Sequence, residues 1–238
     1  MKRDILSVAV SPMVSPSPRC ISPGLRYIAC PLSCSIAASS DMRVLVLGFS
    51  KIIPSNFFSE NFTVLSFFNF MAIMEKKHRF ENLKMAYMGD GNNVSNSLLL
   101  GAAITGMDIS VACPEHHEPD KDILYRARDI ALKTGSRIEI VKDPRTAVDS
   151  ADIIYTDVWV SMGEEKVRAQ KEKLFVGYQV NDELADFADK NYIFMHCLPA
   201  RRGLEVTDEI IDGIHSVVLD EAENRLYSEK GVIYTVLS

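Results

Sequence analysis

At 238 residues, 47% of them hydrophobic, the chain is long enough to bury one good core with a small appendage. Its formal net charge of −6, from 26 basic and 32 acidic residues, and the lack of a lysine or arginine stripe argue against a nucleic-acid partner. Five cysteines at spacings that match no zinc pattern argue against a disulfide framework and for a reducing compartment, and the most apolar window, residues 62–74, contains Asn69 and is too short to span a bilayer.

Taken in chain order, residues 1–61 read as an irregular, atypical amino-terminal segment. Residues 1–40 hold nine serines and five of the ten prolines, with Asp4 as the single acid, a composition that does not fold on its own. It has some transit-peptide character but lacks an amphipathic arginine helix. The expected location is therefore the cytoplasm, with an organelle as the alternative if residues 1–40 are a transit peptide. MRVLVLGFS, residues 42–50, reads as a buried strand, and the KIIPSNFFSENF that follows offers no phosphate-cradling glycine pattern.

Residues 62–238 read as a second unit, an α/β domain. A helical stretch over 62–80 is followed by short β-rich runs at 84–88, 108–113, 137–141, 152–156, 192–195 and 216–219. The helical runs between the first three of them finish in Gly106 and Gly135, the residue type that accepts a left-handed cap. Strand, helix, strand repeated in this way predicts a doubly wound, Rossmann-like parallel sheet with helices on both faces. Ligands of such sheets bind beyond the carboxyl ends of the strands.

The unusual residues fall at those ends. GDGNN (89–93) opens like a dinucleotide fingerprint, but Val94 stands where the third glycine belongs and the second strand ends in Cys113-Pro114 rather than an acid, which argues against a nicotinamide cofactor. One of Asn92 and Asn93 can cap the helix, leaving the other amide for a ligand. DVWVSMG (157–163) offers Asp157 for an ammonium group and Ser161 for a carboxylate, although a cap and a packed Trp159 would account for the same residues. In FMHCLPARRG (194–203), His196 and Cys197 are adjacent in an extended segment and point to opposite sides, so His196 is poorly placed to activate the thiol; a buried inert cysteine is the plain alternative. DEAENRL (220–226) opens a terminal helix whose Arg225 can reach the same rim and pair with phosphate or carboxylate.

In order and separation, MGDGNNVSNSLL, YTDVWVSMGEE, YQVN, FMHCLPARRGLEVTDE and DEAENRL resemble the carboxyl-terminal half of the ornithine carbamoyltransferases, from about Phe70 onward. HCLP separates that branch from the aspartate enzymes, and DVWVSMG favours ornithine over putrescine. The resemblance implies transfer of the carbamoyl group of carbamoyl phosphate to ornithine, giving citrulline and phosphate, in arginine biosynthesis or the arginine deiminase pathway, with no metal or organic cofactor. It implies ornithine binding by Asn93, Asp157, Ser161 and Met162. It makes Cys197 the catalytic residue that accepts the amine's proton, and Cys197, Leu198 and Arg225 the contacts of carbamoyl phosphate. It also implies a homotrimer, assembled mainly through a preceding domain.

The sequence also departs from that family. Its phosphate-gripping Ser-Thr-Arg-Thr-Arg run is not found in residues 1–61, and the four places of its His-Pro-x-Gln motif are held by Phe62, Thr63, Val64 and Leu65. The expectation is little turnover by this chain alone. The alternative from another class is a non-catalytic amino-acid-binding module or an inactive fragment of the enzyme.

Overall fold

The structure, a computed structural model, describes residues 64–160, 163 and 165–237. The predicted strand at 42–50 and the whole segment 1–61 lie outside the described residues. Within them the order is α1 (Val64–Lys77), β1 (Lys84–Met88), α2 (Asn93–Thr105), β2 (Asp108–Ala112), α3 (Lys121–Thr134), β3 (Ile138–Val141), α4 (Pro144–Val148) and β4 (Ile153–Thr156). It continues with α5 (Arg168–Phe175), α6 (Asp182–Ala185), β5 (Ile193–His196), α7 (Asp208–Ile211) and α8 (Val218–Leu237).

The five strands form one parallel sheet in the order β3-β2-β1-β4-β5. Successive strands are added first to one side of β1 and then to the other, so the two halves wind outward from the centre. Alternate residues along each strand feed opposite layers. Met85, Tyr87, Ile109, Val111, Ile153, Tyr155, Ile193 and Met195 pack with α1, α2 and α3, whereas Ala86, Met88, Ala112, Ile154 and Phe194 pack with α4, α6 and α7. Both faces are covered, which is why the strands read as nearly continuous apolar runs. Full burial of a side chain such as Phe70 or Phe194 contributes about 1.5–3 kcal/mol.

The expected glycine caps are present: Gly106 and Gly135 end α2 and α3 at φ 77° and 84°, a region that costs an L side chain energy. The sixth predicted strand, 216–219, is a correction. Ser216 makes one parallel bridge with Phe194, and at Val218 the chain enters α8, whose first turn carries Asp220 and Glu221. Acids complement a helix amino terminus, so the β-branched pair before them ends the bridge instead of extending a strand. Among the described residues no helix is long and apolar enough to cross a membrane.

Register sets where the chemistry falls. Met88 pairs with Ala112 on one side and Thr156 on the other, and Thr156 pairs with His196. Strands β1, β4 and β5 therefore end level, and the segments that follow them meet over one edge.

Candidate functional site

That edge borders a cavity of about 440 Å³, whose polar lining includes Asn93, Ser97, Asp157, Cys197, Arg201 and Arg225. Leu198 lines it as well. Five of the seven residues singled out from sequence, Asn93, Asp157, Cys197, Leu198 and Arg225, are thus brought together. Ser161 and Met162 lie outside the described residues.

The turn after β1 is built around Gly91, whose N–H donates to the His117 carbonyl at 2.9 Å. A Cβ there would clash with the backbone of Glu118 and Pro119, so no other residue fits without displacing that strand-end loop. Asn92 caps α2, its Oδ1 accepting from Val94 N and Ser95 N at 2.9 and 3.2 Å. Its Nδ2 donates to Asp157 Oδ2 at 2.8 Å. One asparagine thus both caps the helix and orients the carboxylate, while the next one lines the cavity.

Asp157 is 5% exposed. Its Oδ1 accepts from Val158 N at 2.8 Å and from the Cys197 thiol at 3.0 Å. No lysine or arginine bonds to it among the described residues, and a buried carboxylate at a cavity wall is costly without a charged or hydrogen-bonding complement. Burial, then the Asp157 charge and the hydrogen bond to it, push the Cys197 thiol well above its ordinary range. The sulfur is therefore a protonated donor.

His196 cannot serve as its base. The imidazole Nδ1 accepts from Leu198 N at 2.9 Å, which assigns the proton to Nε2. Nε2 lies 3.4 Å from Glu205 Oε1, too poorly aligned to be a hydrogen bond but close enough for attraction between N–H and carboxylate. Glu205 also accepts from the Arg201 amide. Leu198 sits in the left-handed region at φ 51°, unusual for a branched side chain and held here by its amide's bond to His196. One donor atom each from Asp157, His196 and Cys197 lies within 4.8 Å of the others. His196 Nδ1 is already taken by the Leu198 amide and the thiol by Asp157, so these groups are engaged in hydrogen bonds rather than arranged as an open ligand shell.

Arg225 rises from the second turn of α8, its guanidinium 5.1 Å from the centre of the Phe68 ring, with Glu229 at 4.0 Å as a weak partner. A second cation, Arg201, lines the same cavity. The sequence reading did not assign Arg201, Ser97 or Asn69. Ser97 had a signal, since it lies four residues after Asn93 on the same helix face. Trp159 is packing: it is 3% exposed and stacks on Phe175 at 5.8 Å.

A carboxylate, a thiol donor bonded to it and two guanidinium groups share the lining of one cavity, so both charge signs meet at the strand ends of a doubly wound sheet, where such folds take their ligands. A family profile described as "Aspartate/ornithine carbamoyltransferase, Asp/Orn binding domain" matches residues 81–236. The chain belongs to that family. It is 66% identical over 170 residues to an ornithine carbamoyltransferase of Picrophilus torridus, covering 71% of this chain and 56% of the relative. To a catabolic ornithine carbamoyltransferase of Thermoplasma acidophilum it is 58% identical over the same length, with the same coverage. The solved ornithine carbamoyltransferase of Pyrococcus furiosus superimposes with a TM-score of 0.69 at 46% identity, over 71% of this chain and 54% of that one. The chain thus spans about half the length of the curated relatives it matches.

Proposed function

We propose that residues 62–238 are the ornithine-binding half of an ornithine carbamoyltransferase, a transferase that moves the carbamoyl group of carbamoyl phosphate to the side-chain amine of L-ornithine, yielding L-citrulline and phosphate. The observation that carries this reading is Asp157, a buried carboxylate with no cationic side chain bonded to it among the described residues, directed with the Cys197 thiol at the cavity. The α-ammonium of ornithine supplies the complement, and Asn93, Ser161 and Met162 hold the rest of the amino acid. Cys197 and Leu198 line the reaction centre, and Arg225 takes the phosphate end of the second substrate. Amine attack forms the C–N bond and a tetrahedral oxyanion, then breaks the C–O bond to phosphate, so fixed dipoles and cations carry the catalysis. The reading places the protein in the cytoplasm and requires neither metal nor organic cofactor.

The phosphate end is where this chain departs from the reading. Residues 1–61 contain no Ser-Thr-Arg-Thr-Arg run, and Phe62, Thr63, Val64 and Leu65 supply neither the imidazole nor the amide that would polarise the carbamoyl oxygen. Loss of one such donor costs roughly two to three orders of magnitude in rate. The expectation is binding without appreciable turnover, the behaviour of an amino-acid-binding module. Labelled citrulline formation by the purified chain, measured beside a complete ornithine carbamoyltransferase, tests this; comparable rates would overturn the expected inactivity.

A further inference from the structure

Directly beneath the Cys197 loop lies a buried acid that the reaction scheme above does not use. Glu221, in the first turn of α8, is 1% exposed. Its Oε1 accepts from the Tyr155 hydroxyl of β4 at 2.8 Å. Its Oε2 accepts from the backbone N–H of His196, the last residue of β5, at 3.0 Å. One carboxylate therefore ties three elements together at the residue immediately before Cys197, and its own helix carries Arg225 one turn further on. The ionisable groups that face it are Tyr155 and Asp157 from β4 and the residue after it, Cys197 from the loop after β5, and Arg225 from α8.

We infer that Glu221 is a positioning residue: it fixes the start of the Cys197 loop through the His196 amide, and its negative charge helps keep the Cys197 thiol protonated. The first half follows from the two hydrogen bonds, because Glu221 accepts from the His196 amide directly and a buried N–H that loses its acceptor is costly. The second follows from Coulomb's law at short range in a poorly solvated interior. Burial, opposed by the Tyr155 and His196 hydrogen bonds and by Arg225, pushes the Glu221 carboxyl up to about 7. Near neutrality it therefore exists in both forms. The protonated form keeps the geometry: one oxygen still accepts from His196, and the new O–H donates to the Tyr155 oxygen.

This coupling goes beyond the proposed carbamoyl transfer and holds whichever amino acid fills the cavity, so it can be tested without turnover. The measurement is peptide-resolved alkylation of Cys197 by iodoacetamide in the full chain, from below pH 6 to above pH 8. The thiolate is the reacting species. In the unaltered protein the logarithm of the rate is expected to climb with pH, flatten near the Glu221 titration as the new charge raises the thiol, and then climb again. Glu221→Gln places an amide where the protonated acid stood, its Oε1 toward His196 and its Nε2 toward Tyr155. It should give a straight line without the flattening and alkylation about threefold to tenfold faster above pH 8. Should Glu221→Gln fail to fold, Tyr155→Phe decides: it removes a hydrogen bond that favours the ionised acid, so the flattening should move to higher pH. A straight profile in the unaltered chain would overturn the inference, as would flattening that persists in Glu221→Gln or stays in place in Tyr155→Phe. Failure of ornithine to bind would overturn the functional reading alone and leave these profiles to judge Glu221.

Discussion

Three polar side chains, two of them buried, divide the work around Cys197. Asp157 holds the thiol by a hydrogen bond, Asn92 holds Asp157 from the cap of α2, and Glu221 holds the amide before the cysteine. Asp157→Asn keeps the shape but removes the charge, and is expected to weaken binding of an amino-acid ligand by about 2 kcal/mol or more, roughly thirtyfold. Glu221 makes a separate stability prediction. Its carboxyl is raised from the ordinary 4.5 to about 7, so between these values the folded chain binds a proton that the unfolded chain has released. The stabilisation is complete below pH 4.5 and is lost as pH rises through about 7. Its contribution over that window is about 3 kcal/mol, falling as pH rises. Urea unfolding at pH 5 and pH 8 should show a decline that is smaller in Glu221→Gln; an equal decline in both would remove Glu221 as its source.

Among the elements, α5 depends most on a few contacts. Its buried residues are Lys171 and Phe175. Lys171 Nζ lies 2.7 Å from Asp90 Oδ2, both side chains being largely buried, and Asp90 Oδ1 lies 2.8 Å from His117 Nδ1. Phe175 fills the space between Trp159 and the His117 ring. This cluster ties α5 to the turns after β1 and β2 and so closes one side of the segment that starts at Asp157. Lys171→Met leaves Asp90 short of its cation and is expected to cost about 3 kcal/mol in urea unfolding. Gly91→Ala drives a methyl into the Glu118 backbone and should cost about 1–3 kcal/mol. An unchanged midpoint in either variant would mean that the turn and α5 rearrange freely. Little of this clamp was legible in the sequence, because Asp90, His117 and Lys171 come from three separate segments and none has a motif that announces its partner. The strands, in contrast, were legible from their apolar runs and glycine-ended helices. The failure at 216–219 came from two β-branched residues, Val217 and Val218, whose pattern fits both a strand end and a helix start.

For the whole molecule, the parallel sheet turns five sequence segments into one cavity by ending β1, β4 and β5 level. That is why Asn93, Asp157, Cys197, Leu198 and Arg225 could be grouped from their positions after strands and in the terminal helix. Glu221 and Arg201 escaped, since a charged helix start and an arginine pair read as solvated surface until burial and lining are known. In the proposed function Asp157 anchors a zwitterionic amino acid. Calorimetric titration of L-ornithine into the 238-residue chain, repeated with Asp157→Asn, tests it most directly. One-to-one binding that weakens at least about thirtyfold in the variant is expected. No binding to the unaltered chain, or equal affinity for both, would contradict it.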